Sequence, residues 1–235
     1  MDREVTDARH ALVEHIVELV GPEPIPRLEE ALTHPSFVNE SGGMDNQRLE
    51  FLGDAVLDLC VSEVLVDAYQ QANEGRLTRM HSALVNAEAL ADWGRRVGIG
   101  MSLSMGRGAT ASGDREQTNV VADAVEAILA AVYLSHGLEG ARRLVGDIVA
   151  GRLEDAERIA APDPKGALQE RLQQNGRPLP TYHLVERSGP AHEPSLGIEV
   201  MVEGETLGRG AGRSKKQAER AAALDALARL DGLAK

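Results

Sequence analysis

Asn46–Leu59, NQRLEFLGDAVLDL, decides how the rest of this 235-residue chain is read. As a helix it is apolar nearly all round: Leu49, Phe51, Leu52, Ala55, Val56, Leu57 and Leu59 leave only a narrow polar strip. Glu50 and Asp54 interrupt that sleeve four residues apart, which stacks them on one helical face. A carboxylate buried without a partner costs several kcal/mol, so something positive is expected against the pair.

Asn119–Leu134, NVVADAVEAILAAVYL, repeats the arrangement. Its only charges are Asp123 and Glu126, three residues apart and hence on one face. Two apolar helices, each with a carboxylate pair, can pool four oxygen ligands across a helix interface. That donor set suits a hard cation, Mg²⁺ or Mn²⁺, and no His or Cys stands beside it at zinc-like spacing. A solvated acidic face explains either pair taken singly; it explains two such pairs poorly, because unpaired charge is rare in apolar helices.

Residues 46–57, NQRLEFLGDAVL, closely resemble the signature of bacterial ribonuclease III. Residues 121–134, VADAVEAILAAVYL, resemble the second catalytic stretch of the same family, in the family's order and separation. The resemblance implies an endoribonuclease that cleaves double-stranded RNA to 5′-phosphate and 3′-hydroxyl ends with Mg²⁺, for which Mn²⁺ substitutes. It assigns Glu50, Asp54, Asp123 and Glu126 as metal ligands, with Asp54 and Glu126 in the catalytic role. Gln47 stands where many relatives carry Glu, and Glu74 matches an acidic position near the centre; both are candidate site-edge groups. Family enzymes are homodimers whose two sites each cut one strand, leaving short 3′ overhangs. Phe51, on the side of its helix opposite Glu50, is then a dimer contact, with core packing as the alternative. The implied substrates are precursor ribosomal RNA and other structured transcripts.

Composition agrees with a two-part globular chain. Hydrophobic residues at 43% and charged residues at 26% describe a folded protein, and 3% aromatics leave the core to Leu, Val, Ile and Ala, as in a helical bundle. No run of eighteen apolar residues occurs, so no membrane span is expected. The start, MDREVTDARH, lacks the basic and apolar regions of a secretory signal. Cys60 is the single cysteine, which excludes an intrachain disulfide and reads as a buried thiol in a cytoplasmic protein. The net charge of −12 is uneven. Residues 1–162 hold 14 Lys+Arg against 27 Asp+Glu, a net −13, whereas residues 163–235 hold 11 against 10, a net +1 and all four lysines.

Along the chain, residues 8–20 form an amphipathic helix stopped by GPEPIP, and a helix starting at Leu28 leads into THPSF. His34 there reads as a hydrogen-bonded structural group and not a base. NESGGMDN is a loop, Trp93 packs in a core helix over 86–97, and GIGMSLSMGRGATASGDREQ is a long loop before the second catalytic helix, capped by Thr118 or Asn119. A helix from about Gly140 to Arg158 runs into IAAPDP. The organisation expected is an all-α catalytic and dimerisation domain over 1–156, a linker over 157–163, and a second domain over 164–235.

That second domain changes period. PKGALQERLQQN is helical, TYHLVERSG, LGIEVMV and TLGRG are strands, and a helix from Ser214 to Leu230 turns Ala218, Ala221, Ala222, Leu224 and Leu227 inward. The α-β-β-β-α order, the PxY before the first strand and GAGRSKKQAERAAA at the last helix closely resemble a double-stranded RNA-binding domain. Ser214 caps the last helix while Arg213, Lys215 and Lys216 crowd its amino end, so N–H groups, helix dipole and ammonium groups face one anion. That suits phosphates across the narrow major groove of A-form RNA. Gln169, Glu170 and His192 fall where the family makes minor-groove contacts. A non-cleaving RNA-binding scaffold would account for this domain but not for the carboxylates; a di-metal phosphohydrolase of small nucleotides would account for the carboxylates but not for the reader.

Overall fold

The computed structural model describes residues 3–160, 163–190 and 194–232. The chain divides into two compact units, Met1–Ala160 and Ala161–Lys235.

The first unit is helical. Helix α1 (Arg3–Val20) buries Leu12, Ile16 and Val20 on one stripe and begins earlier than residue 8. Helices α2 (Leu28–Ala31) and α3 (Pro35–Ser41) follow. His34 caps α3, its Nδ1 accepting the Ser36 N–H at 3.2 Å, with Pro35 in the first turn. The cap carries α3 through Asn39, Glu40 and Ser41, into the expected loop. The signature forms α4 (Gln47–Ala68), which buries Leu49, Val56, Leu57, Cys60, Val61 and Leu65. Its apolar character serves two faces, because Phe51, Leu59 and Val66 are exposed.

Helices α5 (Glu74–Val85) and α6 (Ala87–Arg96) start at Asn73 and Asn86, whose side chains accept the Arg76 and Ala89 N–H groups. Trp93 of α6 is 1% exposed, and its indole N–H donates to Asp147 Oδ2 at 2.8 Å. The Gly- and Ser-rich stretch after it is not one loop. It folds into α7 (Ile99–Ser102), α8 (Arg107–Ala111) and a 3₁₀ turn at Asp114–Glu116. Long-range bonds hold these pieces: the His34 N–H donates to the Ser104 carbonyl at 3.0 Å, and the Arg115 guanidinium donates to the Gly100 and Leu103 carbonyls.

Helix α9 (Thr118–Val149) is the core of the unit, and from Val121 to Val132 only Asp123 and Glu126 escape full burial. Gln117 precedes it without a side-chain cap, so the expected capping by Thr118 or Asn119 is not made. Thr118 Oγ1 instead takes an N–H from Arg95 and donates to Glu88. By length and composition α9 is apolar enough to cross a membrane, but its apolar side chains are those of a packed core helix, and it breaks at Gly137, φ 64°. A second break at Gly151, φ 74°, interrupts the helix expected from Gly140 onward. Helix α10 (Leu153–Ile159) then occupies the first residues of the expected 157–163 linker, because Ala156 and Ala160 are buried and Glu157 pairs with Arg76. Residues 161 and 162 lie outside the described residues.

The second unit runs α11 (Pro164–Gln174), β1 (Thr181–Ser188), β2 (Ser195–Val202), β3 (Glu205–Gly212) and α12 (Lys215–Leu230), with an antiparallel sheet in the order β1-β2-β3. Alternate glycines of β3 set its core. A Cβ at Gly208, Gly210 or Gly212 would come within 2.1–2.7 Å of α12 backbone atoms, so the helix lies directly on the strand with Ala218, Ala222 and Ala226 buried. This close approach rotates Leu224 outward to 53% exposure, against the inward placement expected for it, and Ala223 is buried instead.

Candidate active site

Helix α4 carries Glu50 and Asp54, helix α9 carries Asp123 and Glu126, and Gly53 determines how near the two helices come. A Cβ on Gly53 would stand 1.8 Å from the Glu126 carbonyl oxygen and 2.4 Å from its carbonyl carbon. Only a residue with no side chain lets α4 lie against α9 at that turn. As a result Glu50, Asp123 and Glu126 each bring one carboxylate oxygen within 4.8 Å of the others, all three half-buried. Asp54 is exposed and is not one of the converging three. Its charge nevertheless acts on Glu126 and Glu50.

Among the described residues no Lys or Arg pairs with the cluster. Burial, reinforced by Asp54, Asp123, Glu50 and Asp58, pushes the Glu126 carboxyl up to about 8. Burial raises Glu50 as well, with Asp123, Asp54 and Asp45 adding to it, and burial raises Asp123, with only His34 opposing. Among the described residues none of the four carboxylates forms an ion pair, so the positive partner expected from the sequence is not found there as a paired side chain. Half-buried hard oxygen donors whose charged forms are penalised by burial and by one another fit a divalent cation.

His34 has the structural role read from the sequence, since its Nδ1 is engaged by the Ser36 backbone N–H and lies 2.8 Å from Ser36 Oγ. Gln47 is exposed in the first turn of α4, where its N–H donates to Asp45 Oδ1 at 3.2 Å. Glu74 is exposed in the first turn of α5 and accepts the Thr78 hydroxyl at 2.9 Å. Neither belongs to the converging group. Phe51 is 83% exposed, which removes core packing as its explanation within the chain. With Leu59 and Val66 it makes an apolar stripe along α4 at helical spacing.

In the second unit Ser214 Oγ accepts the Gln217 N–H at 3.3 Å, and Gln217 Oε1 accepts the Arg213 N–H at 3.1 Å. This reciprocal cap, close to a capping box, leaves Lys215 and Lys216 exposed in the first turn of α12. Gln169 and Glu170 are exposed on α11, and His192 lies outside the described residues. Sequence reasoning missed Gly53, Lys165 and Glu219. A glycine inside an apolar helix was the available signal for the first; the other two meet only through tertiary structure, 2.7 Å apart on α11 and α12.

Residues 26–153 match the family model described as Ribonuclease-III-like, and residues 164–230 match the double-stranded RNA binding motif. A protein of Heliobacterium modesticaldum named Ribonuclease 3 is 44% identical over 207 residues, covering 87% of this chain and 88% of its own. The Ribonuclease 3 of Thermobifida fusca is 42% identical over 221 residues, covering 93% and 92%. Among solved structures, a ribonuclease III nuclease domain from Campylobacter jejuni superposes with a TM-score of 0.55 at 33% identity, covering 59% of this chain and 94% of that one.

Proposed function

The chain belongs to the ribonuclease III family, and on that premise we propose that it is a divalent-metal-dependent endoribonuclease of double-stranded RNA. It leaves 5′-phosphate and 3′-hydroxyl ends with short 3′ overhangs. The observation that carries the reading is the convergence of Glu50, Asp123 and Glu126 within 4.8 Å, with no ion pair to any of them among the described residues. An RNA-binding scaffold has no use for such a cluster, which stores unfavourable charge.

Glu50, Asp123 and Glu126, with Asp54 at the rim, hold the metal, and Mg²⁺ is the ion proposed. When bound, it neutralises charge on the scissile phosphate and lowers the pKa of a water. Asp54 and Glu126 are the catalytic pair. Exposed Asp54 is accessible to a water from solution, while the Glu126 carboxyl, which burial and its acidic neighbours push up to about 8 without a metal, would be held ionised by the cation it ligates. Gln47 offers an amide where an acid would add negative charge, which makes it a tuning group; Glu74 lies further out.

The second unit supplies affinity. Its capped α12 presents Lys215 and Lys216 to phosphates, with Arg213 beside them, and Gln169, Glu170 and His192 are proposed minor-groove contacts. Binding is therefore salt-sensitive. The chain acts as a homodimer through the Phe51, Leu59 and Val66 stripe; the Campylobacter jejuni nuclease domain is itself described by a region involved in dimer formation. A cytoplasmic enzyme processing precursor ribosomal RNA and other structured transcripts accords with the reduced, buried Cys60.

Asp123→Asn tests the assignment. Groups that only hydrogen-bond a metal's ligands are worth about 10–100-fold, so loss of a ligand itself is expected to cut duplex cleavage by at least about a hundredfold while duplex binding persists. Unchanged cleavage would overturn it.

A further inference from the structure

Two lysines in the first turn of a helix oppose its dipole, whose amino end is already positive. Lys215 and Lys216 occupy that place in α12, and Lys215 precedes Glu219 by four residues, the less favourable order for such a pair. Glu219 is nevertheless committed: its side chain is only 14% exposed, Oε2 lies 2.7 Å from the Lys165 ammonium and Oε1 lies 3.9 Å from that of Lys215. Lys165 is fixed in turn, its ammonium 4.6 Å from the centre of the Tyr182 ring. One carboxylate thus joins a lysine anchored on α11 to a lysine exposed at the tip of α12.

We infer that Glu219 is a positioning residue for RNA binding, holding the Lys215 ammonium at the amino end of α12 before the phosphate arrives and fixing that end against α11. The inference rests on the double-stranded RNA reading of this unit. A free lysine loses rotamer freedom when it docks, at a cost per immobilised side chain equivalent to about threefold to tenfold in affinity. Glu219 meets that cost during folding. Simple electrostatics predicts the opposite, because a carboxylate near the phosphate contact repels RNA and its removal strengthens binding.

Glu219→Gln separates the two. The full chain is titrated, in chelator to prevent cleavage, onto a perfectly paired RNA of about 16 base pairs, the span of one such domain, over a range of salt. The expected result is binding about threefold to tenfold weaker at every salt concentration with an unchanged salt slope, since the number of phosphate contacts is the same. Lys215→Gln lowers the slope by about 0.9, and adding Glu219→Gln to it changes little, because the carboxylate acts through that lysine. Equal or tighter binding by Glu219→Gln, or additive losses in the double variant, overturns the inference. Melting of each variant is recorded. If Glu219→Gln unfolds the unit by stranding Lys165, the charge-neutral pair Lys165→Met with Glu219→Gln takes its place, and again weaker binding with an unchanged slope supports the role while unaltered binding refutes it. Failure of the unaltered chain to bind duplex would sink the RNA reading itself, a result distinct from failure of the Glu219 role.

Discussion

Gly53→Ala is the sharpest perturbation of the site. The new Cβ would sit 1.8 Å from the Glu126 carbonyl oxygen, and ordinary contact begins at 3.4 Å, so α4 and α9 must part by about 1.6 Å at the turn that carries the carboxylates. Overpacking of this kind costs roughly 1–3 kcal/mol, and a backbone clash falls at the top of that range. Alanine returns about 1 kcal/mol of helix propensity. The net loss of about 2 kcal/mol lowers the melting temperature by about 4–8 °C in a chain of this size, which leaves it folded. Glu50 then draws away from Asp123 and Glu126, and a cation that requires ligands at about 2.1 Å tolerates little spreading. Misplacement of about 1 Å costs around a hundredfold in rate. Calorimetric titration with Mn²⁺ and duplex cleavage in Mg²⁺ are the assays, with Gly94→Ala as reference. That Cβ meets α9 through side-chain atoms, Val121 Cγ1 at 2.5 Å and Val125 Cγ2 at 3.2 Å, and not through the Glu126 backbone, so it overpacks α9 without driving α4 from it. If Gly53→Ala binds Mn²⁺ and cleaves like the unaltered chain, or if Gly94→Ala loses metal equally, the spacing argument is wrong.

Glu126→Gln is expected to abolish metal binding yet stabilise the metal-free chain near pH 8. The folded value of about 8 exceeds the ordinary 4.5, so this group's contribution to stability is full below about 4.5 and is lost as pH rises through about 8. Melting in chelator should fall more steeply over that interval for the unaltered chain than for the variant, and parallel curves would contradict the shift. Phe51→Asp should dissociate the dimer in sedimentation while leaving the fold within about 0.5 kcal/mol, as for other exposed positions; an unchanged dimer constant places the interface elsewhere. Gly210→Ala drives a Cβ to 2.1 Å from the Ala222 nitrogen and should remove duplex binding while Mn²⁺ binding in the other unit persists. Retained duplex binding would show that α12 need not lie on β3.

Much of this molecule was legible because its signals are local. Carboxylates at three- and four-residue spacing in apolar helices announced the cluster, and the strand alternation and Ser214 cap announced the second unit. What escaped the sequence depends on distant partners. Residues 98–117 looked like a loop because α7 and α8 are too short to show a period and are held by Arg115 and by backbone bonds to residues 32–34. Thr118 looked like a cap, but Arg95 and Glu88 compete for its hydroxyl. Leu224 looked buried, but the glycines of β3 turn alanines toward the strand. Spacing alone also grouped Asp54 with Glu50, Asp123 and Glu126; only the crossing of α4 and α9 separates the exposed carboxylate from the three that converge.

The central claim is tested most directly by incubating the purified chain with a long, perfectly paired RNA and with single-stranded RNA, each in Mg²⁺ and in Ca²⁺. The account predicts fragmentation of the duplex alone, in Mg²⁺ alone, with binding in both ions. Binding in both ions without cleavage in Mg²⁺ would contradict it and leave an RNA-binding scaffold.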